Sequence, residues 1–258
     1  MDATKNNSLI QWPSAKYWTK QWNPIIGCKP CSPACEHCYA AAWAKRFGQS
    51  FEPHVTRQKP PRSGIVFCGN MTDLWGEWMF PCETDNLHHV NPAKLIAWAN
   101  YRMKDGALYL WLTKRVHRMC QSLAYASAIY GKFNPNHHYF GFTAENQEWY
   151  DRRLSEWTKP WTSPLRHING WLSCEPLLGP IDLHFYTYWN IPKWLVVGCE
   201  SGPNRRPCNI EWVESIVEQC MDVKIPVFVK QLDIGGKCVT DITKFPKHLQ
   251  IRQVPWKT

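Results

Sequence analysis

The chain contains no apolar run of about 18 residues, so nothing in it reads as a membrane-crossing helix. Its opening stretch, Met1-Asp-Ala-Thr-Lys-Asn-Asn-Ser-Leu, lacks the apolar segment of a secretion signal. The expectation is a soluble, cytoplasmic protein with no membrane partner. No G-x-G-x-x-G and no Walker sequence follows any strand-like run, which argues against Rossmann and P-loop enzymes. Acidic residues are scarce: 21 Asp and Glu stand against 30 Lys and Arg, a formal net charge of +9 with a pI near 9.0. An acid-poor surface favours polyanions, above all nucleic acid, although the same charge also serves plain solubility. What is abundant is apolar. Hydrophobic residues make up 44% of the 258, enough for one barrel-sized domain or two small ones. The 16 tryptophans are either core or stacking surface for bases.

Nothing points to an oxidising compartment, so the twelve cysteines are expected as thiols, serving as ligands or as small buried hydrophobes. Four of them, Cys28, Cys31, Cys35 and Cys38, fall within eleven residues ahead of a helix-like run. Cys31, Cys35 and Cys38 have the spacing C-x3-C-x2-C, the radical SAM signature. In it three thiolates hold three irons of a [4Fe-4S] cluster, and the fourth iron chelates the amino and carboxyl groups of S-adenosyl-L-methionine. A short loop suits that task because three soft donors must converge on one cube and leave a corner bare. Two zinc knuckles are the competing reading, but zinc modules usually separate their C-x2-C pairs by about 12–20 residues, and here three intervene.

Along the chain, short apolar runs end repeatedly in polar residues and then give way to helix or loop. Strand-like runs are expected within 17–26 and at 64–68, 107–112, 139–142, 168–172, 194–198 and 225–229. Helices are expected at 39–47, 92–103, from 116 to about 130, 147–157 and 211–221. Asn91, Pro92 and Asn209 mark helix starts, and Gly48 and Gly131 mark ends. Residues 49–63 read as a surface linker. Polar residues at the ends of successive parallel strands are the pattern of a TIM-type barrel, so the expected fold is α/β, a partial or nearly closed (β/α) barrel. A doubly wound open sheet is the alternative. The barrel is expected over 18–236, with residues 1–17 an N-terminal arm and 237–258 a C-terminal tail.

Trp22-Asn-Pro, Gly27-Cys28 and Ser32-Pro-Ala-Cys35-Glu-His-Cys38-Tyr-Ala40 resemble the phage-associated three-Cys-motif family, a radical SAM-like group. The match runs on through Asn70-Met-Thr-Asp-Leu74, Leu112-Thr-Lys-Arg115, Gly141-Phe-Thr-Ala-Glu-Asn146, Ser173-Cys-Glu-Pro-Leu-Leu-Gly179, Gly198-Cys-Glu-Ser-Gly202 and Phe228-Val-Lys-Gln231. The resemblance implies a radical SAM partial barrel. Its distant similarity to spore photoproduct lyase points towards nucleic acid. It also implies a host-cell cytoplasm if the protein is phage-encoded, and an electron donor such as flavodoxin or ferredoxin. That family's triplet corresponds to Cys28, Cys35 and Cys38, so either Cys28 or Cys31 supplies the third thiolate.

The resemblance assigns further roles. Asn70, Thr72 and Asp73, after the second strand, suit the methionyl ammonium of the cofactor. Thr143, Glu145 and Asn146 suit its ribose hydroxyls. Ser173, Glu175, Glu200 and Ser201 reach cofactor or substrate. Lys114, Arg115 and Lys230 are candidates for a phosphate or carboxylate, or for ion pairs between strand ends. Cys68, Cys174 and Cys199 are expected in packing, and the pairs His88-His89 and His137-His138 in solvated loops. The expected activity is radical SAM chemistry on a nucleic-acid base, as DNA or as free nucleotide. The sharper form is isomerisation of an amino-acid substituent on thymine during phage DNA hypermodification. A photoproduct-type repair lyase and a non-catalytic zinc-bearing nucleic-acid module are the alternatives.

Overall fold

The computed structural model describes residues 10–79, 90–103, 106–131, 133–158, 168–185, 192–202 and 204–256. Its strands begin with β1 (Ile10–Gln11), β2 (Lys20–Trp22), β3 (Ile25–Ile26), β4 (His54–Val55), β5 (Ile65–Cys68) and β6 (Leu108–Thr113). They continue with β7 (His138–Thr143), β8 (Asn169–Cys174), β9 (Leu195–Gly198), β10 (Val227–Ile234), β11 (Lys237–Val239) and β12 (Gln253–Val254). The helices are α1 (Tyr39–Arg46), α2 (Pro92–Arg102), α3 (Val116–Tyr130), α4 (Gln147–Trp157) and α5 (Ile210–Asp222).

One eight-stranded sheet in the order β11-β10-β9-β8-β7-β6-β5-β2 forms the frame. From β2 to β10 every neighbouring pair is parallel, and β11 turns back antiparallel at one edge. A doubly wound sheet reverses its strand order at a switch point. Here the order never reverses, so the sheet winds one way and curls into a half-barrel whose edge strands, β2 and β11, do not meet.

The strand sequences explain this. β5, β7, β8 and β9 are buried along their whole length, as parallel strands covered on both faces must be. Alternate residues go to different cores. Val66, Tyr109, Trp111, Phe140, Leu172 and Val197 pack outward, in one cluster with residues of α2 to α5. Phe67, Leu110, Tyr139, Trp171, Val196 and Phe228 form a second cluster on the inner face. The helices start and stop where local chemistry allows. Asn91 Oδ1 accepts from the Lys94 N–H at 2.8 Å, and Pro92 sits in the first turn, where its missing N–H costs nothing. Gly48 and Gly131, at φ of +62° and +84°, follow α1 and α3. Asn209 holds the N-cap position of α5, but its side chain makes no capping bond.

Several details differ from the sequence expectation. The run at 17–26 yields two short strands, the three-residue β2 and then β3, which pairs antiparallel with β4 inside the 49–63 linker. β10 continues past residue 229 to Ile234, because β11 pairs with its second half. The segments flanking 18–236 also meet. β1 pairs with β12, and Trp12 N–H donates to Arg252 O at 2.7 Å. Tyr17, Val254 and Trp256 fill the inner space at the amino ends of the strands. The Tyr17 and Trp256 rings lie edge-on to Trp194 at 5.0 and 4.8 Å.

His138 is not solvated: it opens β7 with no exposure, stacked 5.4 Å from Tyr109, while His137 Nδ1 lies 2.8 Å from Ala107 O. The pair His88-His89 falls outside the described residues. Among the described residues no helix is long and apolar enough to cross a membrane.

Candidate cofactor and substrate site

Above the inner aromatics, at the carboxyl ends of the strands, lies a cavity of about 430 Å³. The cysteine loop, residues 27–38, borders it. Gly27 begins the loop at φ +95°, and a Cβ there would stand 2.4 Å from Glu52 O, so no side chain fits. The loop is tied on two sides: Cys28 N–H donates to Phe51 O at 3.1 Å, and Thr72 Oγ1 donates to Gly27 O at 2.5 Å. A 3-10 turn over Pro33–Cys35 bends the chain, and Cys38 then holds the N-cap position of α1 without a side-chain capping bond. All four thiols line the cavity.

The thiols are electrostatically unequal. The Cys31 thiol donates to Cys35, and that bond, helped by the charge of Lys114, draws Cys35 down to about 4 against the cost of burial. Cys31 is driven well up by the same bond. Burial, then the charge of Asp73, pushes Cys28 up to about 11. Lys114 lies beside this group. Burial pulls its ammonium down, but Cys35 and Glu145 raise it overall.

The other expected site residues divide three ways. Asn70, Thr143, Ser173 and Ser201 line the cavity with the cysteines, and Asn70 Oδ1 is buried without a hydrogen-bond partner. Thr72, Asp73, Arg115, Glu175, Glu200 and Lys230 line it too, but their polar groups are committed to one another or to the frame. Asp73 accepts from Thr113 Oγ1 at 2.7 Å, Trp75 N–H and Lys114 N–H at 3.0 Å each, and Arg115 Nη1 at 3.1 Å. Four donors saturate a carboxylate, so Asp73 joins the loop after β5 to the end of β6 and is not free for an ammonium. Arg115 also grips Glu77 at 2.8 and 2.9 Å and Lys29 O at 3.1 Å. Of its two expected roles, the ion pair is the one observed. Lys230 pairs with Glu175, which also accepts from Gln231 Nε2 at 2.9 Å.

Glu145 and Asn146 do not line the cavity. Glu145 is fully buried in an ion pair with Arg153, behind the sheet end, and Asn146 Oδ1 caps α4 by accepting from Trp149 N–H at 3.1 Å. Of the cysteines expected in packing, Cys68 and Cys174 lie in the outer core, whereas Cys199, equally buried, also borders the cavity.

Sequence reasoning passed over His37, Tyr39, Trp18 and Arg206. His37 Nδ1 lies 2.9 Å from Glu200 Oε2, and Arg206 clasps Glu200 while reaching Glu36 at 3.2 Å. Burial raises the Glu200 carboxyl, but the bonds from Arg206 and His37 outweigh it and hold it below the ordinary range. The Tyr39 hydroxyl donates to Asn70 O, while Trp18 lies under the Lys230 ammonium at 5.7 Å. The position of His37, between two of the loop cysteines, was the one visible signal.

Among the described residues, no three His, Cys, Asp or Glu side chains stand close enough to ligate a single metal ion as they are placed. The donor set still suits a soft metal cluster, with four thiols on one cavity next to a cation. The orphaned Asn70 oxygen matches a donor on a ligand. A second, wider groove of about 790 Å³ lies beside the start of α5, and it contains none of the expected site residues.

A family model described as "Protein of unknown function (DUF5131)" matches residues 8–254. The chain belongs to that family. The DUF5131 match takes in β1, the cysteine loop, the half-barrel and β12, so the strands that close the interior lie within the family unit. No curated protein and no solved structure matches the chain.

Proposed function

We propose that the protein is a radical SAM enzyme acting on a nucleic-acid base. The observation that carries this reading is the meeting of four thiols from one short loop with the unpartnered Asn70 Oδ1, in one cavity at the carboxyl end of a half-barrel. Cys35, Cys38 and one of Cys28 and Cys31 would hold the [4Fe-4S] cluster. Bound together, the cluster and S-adenosyl-L-methionine supply one-electron cleavage and hydrogen-atom abstraction from carbon. The electron comes from a donor such as flavodoxin or ferredoxin.

The chain's own residues bind, orient and exclude water. Asn70 Oδ1, one of the three groups expected at the cofactor's ammonium, would accept from it, while Asp73 is committed to the frame. Lys114 offsets the negative charge that gathers on the cysteine loop. The inner aromatics close the cavity from below and exclude water on that side. Glu175 with Lys230, and Glu200 with Arg206 and His37, form rigid walls whose charges are already paired.

The net charge of +9 and the resemblance to a phage-associated group support a base in DNA, or its nucleotide, as substrate. The reaction proposed is isomerisation: the bond joining an amino-acid substituent to the 5-methyl carbon of thymine moves from the substituent's nitrogen to its α-carbon. In duplex DNA the base would first have to be flipped out, at a few kcal/mol.

Anaerobic reconstitution tests the cofactor. About four irons and equal sulfide per chain are expected, and Cys35→Ala and Cys38→Ala should each lose them. Comparing Cys28→Ala with Cys31→Ala identifies the third ligand. Zinc without sulfide would establish the zinc-module reading instead. For the reaction, phage DNA carrying an amino-acid-substituted thymine is treated, digested and its nucleosides weighed. An isomerase shifts retention at constant mass, and a repair lyase changes the mass.

A further inference from the structure

We propose that the outer face of α1 is a stacking platform for a single nucleic-acid strand, holding the nucleotides beside the one in the cavity. This rests on the reading of the substrate as a nucleic-acid base. Tyr39, Trp43 and Phe47 recur at every fourth position of the helix and its C-cap, and they are 51%, 46% and 56% exposed. Positions four apart share a helix face. Ala40 and Ala44 are buried on the body side, so small residues seat the helix while Trp43 and Phe47 stand in water and Tyr39, its hydroxyl held by Asn70 O, turns from the surface into the cavity mouth. The row spans about 12 Å, the length of three to four stacked nucleotides at ~3.4 Å each. Its first ring, Tyr39, also lines the cavity, so the row is continuous with the mouth.

Charge selects the occupant. Helix α1 carries Lys45 and Arg46 and no acid, and the acids that flank it in sequence, Glu36 and Glu52, are both ion-paired, Glu36 with Arg206 at 3.2 Å. Glu52 has Lys29 as an ion-pair partner, at 3.9 Å. The Arg46 guanidinium rests 5.8 Å from the Phe47 ring centre, and Trp43 and Phe47 are 4.8 Å apart. Exposed aromatics interleaved with cations are the recognition surface of single strands, where rings take bases and cations take phosphates. Other exposed rings lack this setting. Tyr101 and Tyr130 lie at the carboxyl ends of α2 and α3, which lead into the amino ends of β6 and β7, away from the cavity.

The probe is a fluorescein-labelled single strand of about twelve thymidylates, titrated by anisotropy with the purified full chain. Wild-type affinity should fall steeply between about 50 and 200 mM salt. Trp43→Ala should weaken binding about tenfold, Trp43→Phe should recover most of it, and Tyr101→Ala should bind as wild type. Circular dichroism checks that each variant is folded. Unchanged binding by Trp43→Ala, with wild type still binding, would overturn the platform and leave the substrate reading intact. A wild type that binds neither this strand nor a duplex would remove the nucleic-acid reading and the platform with it. If Trp43→Ala keeps strand binding but slows reduction by flavodoxin, the face belongs to an electron-donor protein and the proposal is wrong.

Discussion

The two halves of the barrel interior are built from the same strands and could hardly differ more. At the amino ends, Tyr17, Trp171, Trp194, Phe228 and Trp256 close into a dry aromatic plug. At the carboxyl ends, thiols, carboxylates and cations surround open space. In that upper half most charges already have partners: Asp73 and Glu77 with Arg115, Glu175 with Lys230, Glu200 with Arg206. The groups left over are the thiols, the Asn70 oxygen and the Lys114 ammonium, which joins no ion pair among the described residues. A carboxylate at a strand end is therefore weak evidence for a ligand. An uncommitted group there is much stronger evidence.

If the plug carries stability and the cavity carries chemistry, the two halves should respond differently to damage. The largest effect is expected from ending the chain after residue 250, which removes β12, Val254 and Trp256. No cooperative thermal transition should remain, and a cooperative one would show the plug to be dispensable. Trp194→Ala should come next, costing about 3–5 kcal/mol in urea unfolding, the usual loss for a large buried aromatic. Asp73→Asn should cost about 3 kcal/mol, because it leaves Arg115 partly uncompensated in a buried position. That last loss should appear equally with and without cofactor, since Asp73 serves the frame. A variant as stable as wild type but weaker for S-adenosyl-L-methionine would return Asp73 to the binding site.

The most gradual test is pH. Burial, reinforced by His137, lowers the His138 pKa from about 6.5 to about 3. Above pH 6.5 the imidazole is neutral folded or unfolded and contributes no pH dependence. Below it the unfolded chain takes up a proton that the folded chain refuses, so stability falls with pH by about 1.4 kcal/mol per unit. The decline should continue until the folded pKa is reached. Urea midpoints at a series of pH values should show the slope in wild type and its reduction in His138→Gln.

Much of the frame was legible because parallel strands buried on both faces leave uninterrupted apolar runs, as at Val66-Phe67-Cys68 and Leu195-Val196-Val197. The cysteine loop was legible because its spacing is local. The direction in which a polar residue points at a strand end was not. Thr143 faces the cavity, yet two and three residues on Glu145 turns to Arg153 and Asn146 caps the next helix. Both patterns read as polar residues after a strand, and only the placement of α4 separates them. The plug was hidden for another reason. β1 and β12 are two residues each, and their partners lie at opposite ends of the sequence, so no window of residues contains the signal.

That pairing also orders the events of synthesis. Ile10 meets Val254 and Tyr17 meets Trp194 and Trp256, so the interior floor cannot be completed while residues near 256 are still inside the ribosome. Until then the nascent half-barrel presents an uncovered aromatic surface, with the thiols of residues 28–38 already emerged. Contacts between such distant residues are the slowest to close. A window therefore exists in every round of translation when the chain is at once most exposed to aggregation and, if the proposed cofactor binds, most open to its delivery.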